Sequence, residues 1–274
     1  MASLPQLPNP TWFAGCGEMG GAIVAGWRAA GLDLSQVVAV RPSGSPVEGV
    51  RTVPTYAEAG PQPKLVILAF KPQKLAEAAA QLRPWLTSKA VIVSLLAGVE
   101  LGSLKRLFPK HRAIVRAMPN LPVAVRRGVI GLHGDADEAL QQELATIFTP
   151  LGFAPWMSSE DKLAALGAVA GAGPAYVARF IDALAKAGER RGLTRDFATT
   201  LAIETVLGTA WLAAANGEAM DAIAQRVASP KGTTEAGLAV LDNERVLDEL
   251  IALTIDAAAR RGAELAREAE TAPA

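Results

Sequence analysis

The hexapeptide Gly15-Cys16-Gly17-Glu18-Met19-Gly20 constrains this chain more than any other stretch. It follows a short apolar run, Trp12-Phe13-Ala14, and opens a segment in which Met19, Ala22, Ile23, Gly26 and Trp27 recur at helical spacing. A strand that ends in a tight glycine turn and feeds straight into a helix leaves backbone N–H groups unpaired where the helix dipole is positive. Such a turn seats a pyrophosphate. The first glycine makes the turn, the second lets phosphates approach, and the third lets the helix pack against the strand. Gly15, Gly17, Glu18, Met19 and Gly20 are therefore expected to touch a dinucleotide. Spacing alone is weak evidence, and the strand before and helix after give it meaning.

The first half continues in the same style. Val37-Val38-Ala39-Val40 reads as a buried parallel strand, and the residue after it is Arg41, followed by Pro42-Ser43-Gly44-Ser45. A fold that binds NAD usually has a carboxylate about 20 residues past the glycines, on the ribose 2′-hydroxyl. Here an arginine beside hydroxyls stands instead, which suits a 2′-phosphate. Arg41 and Ser43 thus predict NADP(H), with NAD as a possible second cofactor. Leu65 to Phe70, Val91 to Leu95 and Ala113 to Arg116 are further strands; Gly128 to Leu132 and Gly152 to Trp156 follow around a helix from Asp137 to Phe148. Strands alternating with helices predict a parallel, doubly wound α/β sheet with both faces covered. Its ligand edge would gather the turns at Gly15, Arg41, Lys71, Leu96 and Asn120.

From about Ser159 the chain becomes alanine-rich and strand signals stop. The expected division is a Rossmann-type domain over residues 1–158 and an all-helical domain over 159–274. Helices are predicted from Pro174 to Arg191, from Thr194 to Ala215, from Glu218 to Val227 and from Glu244 to Glu268. Leu201, Ile203, Val206, Leu207 and Trp211, with alanines between them, cover most of one circumference. A helix of that kind must be buried all round. In a small domain this calls for a partner subunit, and a homodimer is predicted.

Composition excludes several classes. Lys+Arg and Asp+Glu balance at 27 each, so no general attraction to nucleic acid or anionic membrane is expected. No apolar run approaches the length of a membrane span. The proline-rich stretch from Met1 to Pro10 lacks signal-peptide character. Cys16 is the single cysteine, so no intrachain disulfide is available. His111 and His133 are isolated and read as surface residues, and no metal site is predicted. A cytoplasmic protein follows from these features.

Five segments, taken together, carry a resemblance to a known family. They are the glycine turn; Leu68-Ala69-Phe70-Lys71-Pro72-Gln73; Val115-Arg116-Ala117-Met118-Pro119-Asn120; Gly171-Ala172-Gly173-Pro174-Ala175-Tyr176; and Ser229-Pro230-Lys231-Gly232-Thr233-Thr234-Glu235-Ala236-Gly237-Leu238. In order and span they resemble delta-1-pyrroline-5-carboxylate reductase, and the last segment is the most specific. The resemblance implies a Rossmann domain and an interwoven helical dimerisation domain, often built into higher oligomers. It implies hydride transfer from NAD(P)H to the ring imine of a small cyclic imino acid, giving L-proline. Lys71, Pro72 and Ala97 would then line the nicotinamide–ribose end. Asn120 would approach nicotinamide and substrate, and Gly232, Thr233 and Thr234 would hold the substrate carboxylate. Thr234, bonding the imine nitrogen or the carboxylate, is the expected catalytic residue.

The chain departs from the family pattern in three places. Ala170 and Ala172 replace serines, Lys231 replaces a position usually Gly, Asn or Ala, and residues 43–63 lack the helix that other members fit there. The lost hydroxyls leave room for a six-membered ring substrate. A non-catalytic NADP-binding regulator is a second alternative. A hydroxyacid dehydrogenase would want a lysine on the helix after the second glycine cluster, where Arg179 comes before Lys186.

Overall fold

Four short apolar runs are buried on both faces and form the middle of a sheet: β1 (Thr11–Ala14), β2 (Val37–Val40), β4 (Leu65–Leu68) and β5 (Val91–Ser94). The computed structural model describes residues 4–271, so 1–3 and 272–274 of the expected domains lie outside the described residues. With β3 (Arg51–Val53), β6 (Ala113–Pro119), β7 (Gly128–Gly134) and β8 (Gly152–Phe153), the strand order is β3-β2-β1-β4-β5-β6-β7-β8. The chain leaves β1 toward β2 on one side and returns to β4 on the other. That reversal is where such sheets bind ligands.

The pleat sends alternate residues to opposite cores. Phe13 packs with Ile23, Trp27 and Phe148 under α1 (Glu18–Ala29) and α4 (Glu138–Phe148), while Trp12 packs with Leu68, Leu82 and Leu104 under α2 (Leu75–Leu82) and α3 (Leu101–Leu107). Trp27 donates its indole N–H to the Ile147 carbonyl at 2.7 Å, which satisfies the one polar atom it buries. Each large apolar side chain buried this way is worth about 1.5–3 kcal/mol.

The sheet differs from the sequence expectations in two ways. The sheet is not wholly parallel: β7 runs antiparallel to β6, because a single 3₁₀ turn (Leu121–Val125) joins them. A parallel return needs a crossover of a dozen or more residues. Strand β3 was not foreseen, since Val53 is its one buried residue. The link from β2 to β3 carries no helix. By packing, the first compact unit runs to Ala172 and takes in residues 258–271 of the last helix, and the second covers Gly173–Ala257. Helix α5 (Glu160–Leu166) stays with the sheet because Leu163 and Leu166 pack over the space that a side chain on Gly131 would fill.

The second unit begins with α6 (Gly173–Glu189) and α7 (Arg195–Asn216), paired through Ala185, Ala198 and Ala202. Then come α8 (Met220–Val227), α9 (Thr233–Asp242) and the first part of α10 (Val246–Thr271). Within one chain α7 is not buried all round: Leu201, Ile203, Leu207 and Trp211 are exposed. The expected cover is not supplied within one chain. Contrary to the sequence reading, residues 160–189 and α7 are each long and apolar enough to cross a membrane by length and composition.

Candidate active site

The glycine turn is stitched to its neighbours by backbone. Gly15 donates to the Val40 carbonyl at 2.9 Å and Gly17 to the Ala69 carbonyl at 3.4 Å. Gly15 has a left-handed φ of +72°, and a Cβ there would stand 2.8 Å from the Ala69 oxygen, so only glycine fits. Gly17 caps α1 with no side-chain bond, and a Cβ on it would meet nothing within 4 Å among the described residues. The first-turn N–H groups of Glu18, Met19 and Gly20 have no intrahelical partner, as at any helix start. This cradle fits a pyrophosphate. Gly20 packs the helix tightly onto the turn: its Cβ would lie 2.9 Å from Cys16 Sγ and 3.3 Å from Ala69 Cβ.

Beside the turn lies a cleft of about 330 Å³, bordered by Gly21, Ala25 and Arg28 of α1, by Arg41, and by the 46–48 loop. Arg41 leaves β2 with its backbone bonded to Val53 and its Nη1 donating to the Ser45 carbonyl at 2.9 Å. Ser43 Oγ accepts from the Ser45 amide at 3.3 Å, shaping the same loop. Cys16 borders the same cleft, where burial pushes its thiol up to about 11 and the charge of Arg41 pulls it back in part. Arg28 pairs with Glu48 across the cleft.

The remaining turns of the first unit share this strand-end edge. Lys71 is exposed and precedes a 3₁₀ turn with Pro72 at its first position. Ala97 is exposed in the turn after β5. Asn120 is 7% exposed, and its amide is committed at both ends. Nδ2 donates to the Ala170 carbonyl at 2.9 Å, and Oδ1 accepts from the Val129 amide at 2.8 Å. Arg116 and Glu160, absent from the sequence-based site, form an ion pair at 2.7 Å with Arg116 nearly buried. The same Glu160 oxygen accepts from the Leu101 amide at 3.0 Å. A charge inside an apolar strand demands a counter-charge, so Arg116 was detectable, whereas its partner far along the chain was not.

The threonine turn lies in the second unit and is not brought together with these residues in either unit's own packing. Gly232 caps α9 without a side-chain bond, and its amide donates to the Ser229 carbonyl at 2.9 Å. Thr233 is exposed and Thr234 half-buried. Lys231 has a left-handed φ of 58°, which is the physical reason a glycine suits that position. Its amide donates to Glu235 Oε2 at 2.6 Å. His111 and His133, read as plain surface residues, are half-buried and bonded to the Thr87 and Met157 carbonyls.

The pyrroline-5-carboxylate reductase of Pseudomonas aeruginosa is 33% identical to this chain over 264 residues, covering 93% of this chain and 96% of that protein. The chain belongs to the pyrroline-5-carboxylate reductase family. Members are NAD(P)-dependent oxidoreductases, and so is this enzyme. Residues 160–265 match the family described as pyrroline-5-carboxylate reductase dimerisation, and residues 12–98 the one described as NADP oxidoreductase coenzyme F420-dependent. A solved pyrroline-5-carboxylate reductase from Coxiella burnetii superposes with a TM-score of 0.86 at 32% identity, covering 94% of this chain and 99% of that one. The Plasmodium falciparum pyrroline carboxylate reductase, solved with NADP bound, shares the fold at a TM-score of 0.83 and 22% identity, over 96% of this chain and 99% of that one. The helical domain of the reductase is thus a dimerisation domain, which accounts for the apolar surface of α7.

Proposed function

We propose that this reductase uses NADPH in preference to NADH to reduce pyrroline-5-carboxylate to L-proline, as a homodimer or higher homo-oligomer. The observation that carries the NADPH preference is Arg41 at the end of β2, bordering the cleft beside the glycine turn, where no carboxylate of that strand end stands. NADPH, when bound, supplies the hydride. Gly15, Gly17, Glu18, Met19 and Gly20 seat its phosphates on α1. Arg41 and the Ser43 loop take the 2′-phosphate through charge-assisted bonds. Lys71, Pro72 and Ala97 flank the nicotinamide–ribose end. Asn120 acts as a positioning residue, holding the backbone at Val129 and Ala170.

In this reading the Gly232-Thr233-Thr234 turn holds the substrate carboxylate. The unpaired first-turn amides of α9 favour an anion, and Lys231 adds a positive charge beside them. Thr234 bonds the imine nitrogen or the carboxylate and so sets the ring carbon for attack. No strong base is needed, since the imine enters already protonated. Catalysis is then chiefly orientation in a water-poor site. A chain with a single buried cysteine depends on no oxidising compartment, in keeping with a cytoplasmic enzyme.

Ala170 and Ala172 support a second substrate reading, because the smaller side chains leave room for a six-membered ring. NADPH oxidation measured with pyrroline-5-carboxylate beside its six-membered analogue tests both. Faster turnover of the five-membered ring supports the main reading, and faster turnover of the larger ring overturns it. NADPH that binds but is oxidised by neither ring would mean a regulator instead.

A further inference from the structure

Arg28 borders the same cleft as Arg41, and nothing in the sequence pattern singles it out. It lies on the α1 face that also carries Ala25 and Gly21, one and two turns nearer the helix start. A Cβ on Gly21 would meet nothing within 4 Å among the described residues, and only the methyl of Ala25 stands between Gly21 and Arg28 among the α1 residues that border the cleft. Residues 21 and 28 are about 10 Å apart along the axis, and helical side chains lean toward the N-terminus. Arg28 therefore reaches back over the cleft.

What it meets there is a carboxylate. Arg28 Nη1 donates to Glu48 Oε1, and both side chains are solvent-accessible. Glu48 comes from the helix-free loop between β2 and β3. Beyond it Gly49 has a left-handed φ of +88°, and a Cβ there would lie 3.2 Å from Arg28 Cδ, so the loop turns directly over the arginine. Arg41 differs in that its Nη1 bonds a neutral carbonyl.

We propose that Arg28 is a second determinant for the cofactor's 2′-phosphate and that Glu48 is a built-in competitor, a carboxylate that a 2′-phosphate displaces and a 2′-hydroxyl does not. Glu48 then lowers affinity for NADPH while leaving NADH untouched. The proposal rests on the dinucleotide reading of the cleft and not on imine chemistry. Its test is accordingly binding of NADPH and NADH to the intact enzyme, by fluorescence titration without substrate. Arg28→Gln should weaken NADPH about tenfold relative to NADH, the worth of one charge-assisted contact. Glu48→Gln should tighten NADPH relative to NADH, and should have no such effect in the Arg28→Gln background. An unaltered NADPH-to-NADH ratio in Arg28→Gln overturns the proposal while the cofactor reading stands. So does a Glu48→Gln effect that persists without Arg28. A parent enzyme that binds neither dinucleotide overturns both.

Discussion

Replacing Asn120 with alanine removes, in one step, the partner of two backbone groups. The Val129 amide loses an acceptor at 2.8 Å and the Ala170 carbonyl a donor at 2.9 Å, in a setting where Asn120 itself is 7% exposed. A buried polar group left unpaired costs about 1–3 kcal/mol. Both orphaned groups are half-buried, so the total falls at about 2–4 kcal/mol, a large part of the 5–15 kcal/mol typical of a domain. With a urea m-value of about 2 kcal/mol/M, the unfolding midpoint should fall by about 1–2 M at equal protomer concentration. Asn120→Asp keeps the acceptor for Val129 but sets an anion against the Ala170 carbonyl. Asn120→Asp should therefore also unfold at lower urea than the parent at pH 7, because the Ala170 carbonyl loses its donor and faces a charge. If Asn120→Ala unfolds within about 0.5 kcal/mol of the parent while turnover collapses, the amide works on the ligand and the positioning role is wrong.

The other predictions concern the cofactor cleft and the second unit. Thr234→Ala should depress kcat for pyrroline-5-carboxylate by about tenfold or more with NADPH affinity unchanged, and unaltered turnover would remove its assigned role. Arg41→Asp should move the NADPH/NADH ratio of kcat/KM toward NADH, and a constant ratio would make Arg41 a bystander. Burial holds the Cys16 thiol at about 11, so at pH 8 it should alkylate about 100-fold more slowly than a free thiol. A thiol whose pKa is raised on folding stabilises the fold fully below its unfolded value, and that contribution is lost as pH climbs toward 11. Modification at the rate of an open cysteine would refute its burial. Leu207→Asp, on the exposed apolar face of α7, should shift the solution mass toward monomer, and an unchanged oligomer would place the interface elsewhere.

What the sequence made legible followed from local rules. Trp12 to Gly20 announces strand, turn and helix because a short apolar run, φ-tolerant glycine and helical spacing are properties of neighbours. Arg41 was legible for the same reason, as the residue that ends an apolar run. Arg28 was hidden, because its meaning depends on Glu48 folding back over α1 from a loop that lacks a helix. Glu160 was hidden too, since its partners Arg116 and Leu101 meet it only after the strands have been ordered. The antiparallel turn at β7 is set by the brevity of one connection, and the amide of Asn120 found one partner, Val129, across that turn and the other, Ala170, beyond α5. The alanine-rich helices were readable as helices, but the exposure of Trp211 and Leu207 in a single chain records the missing half of a core.

The contact between Cys16 and Gly20 has a consequence for how this turn can vary. A Cβ on Gly20 would fall 2.9 Å from the Cys16 sulfur, so the two positions draw on one volume. A side chain can occupy it from position 16 or from position 20, but not from both. The glycine that closes the motif and the thiol inside it are therefore a single choice made by two residues. Grafting this turn into another scaffold means carrying the pair across together.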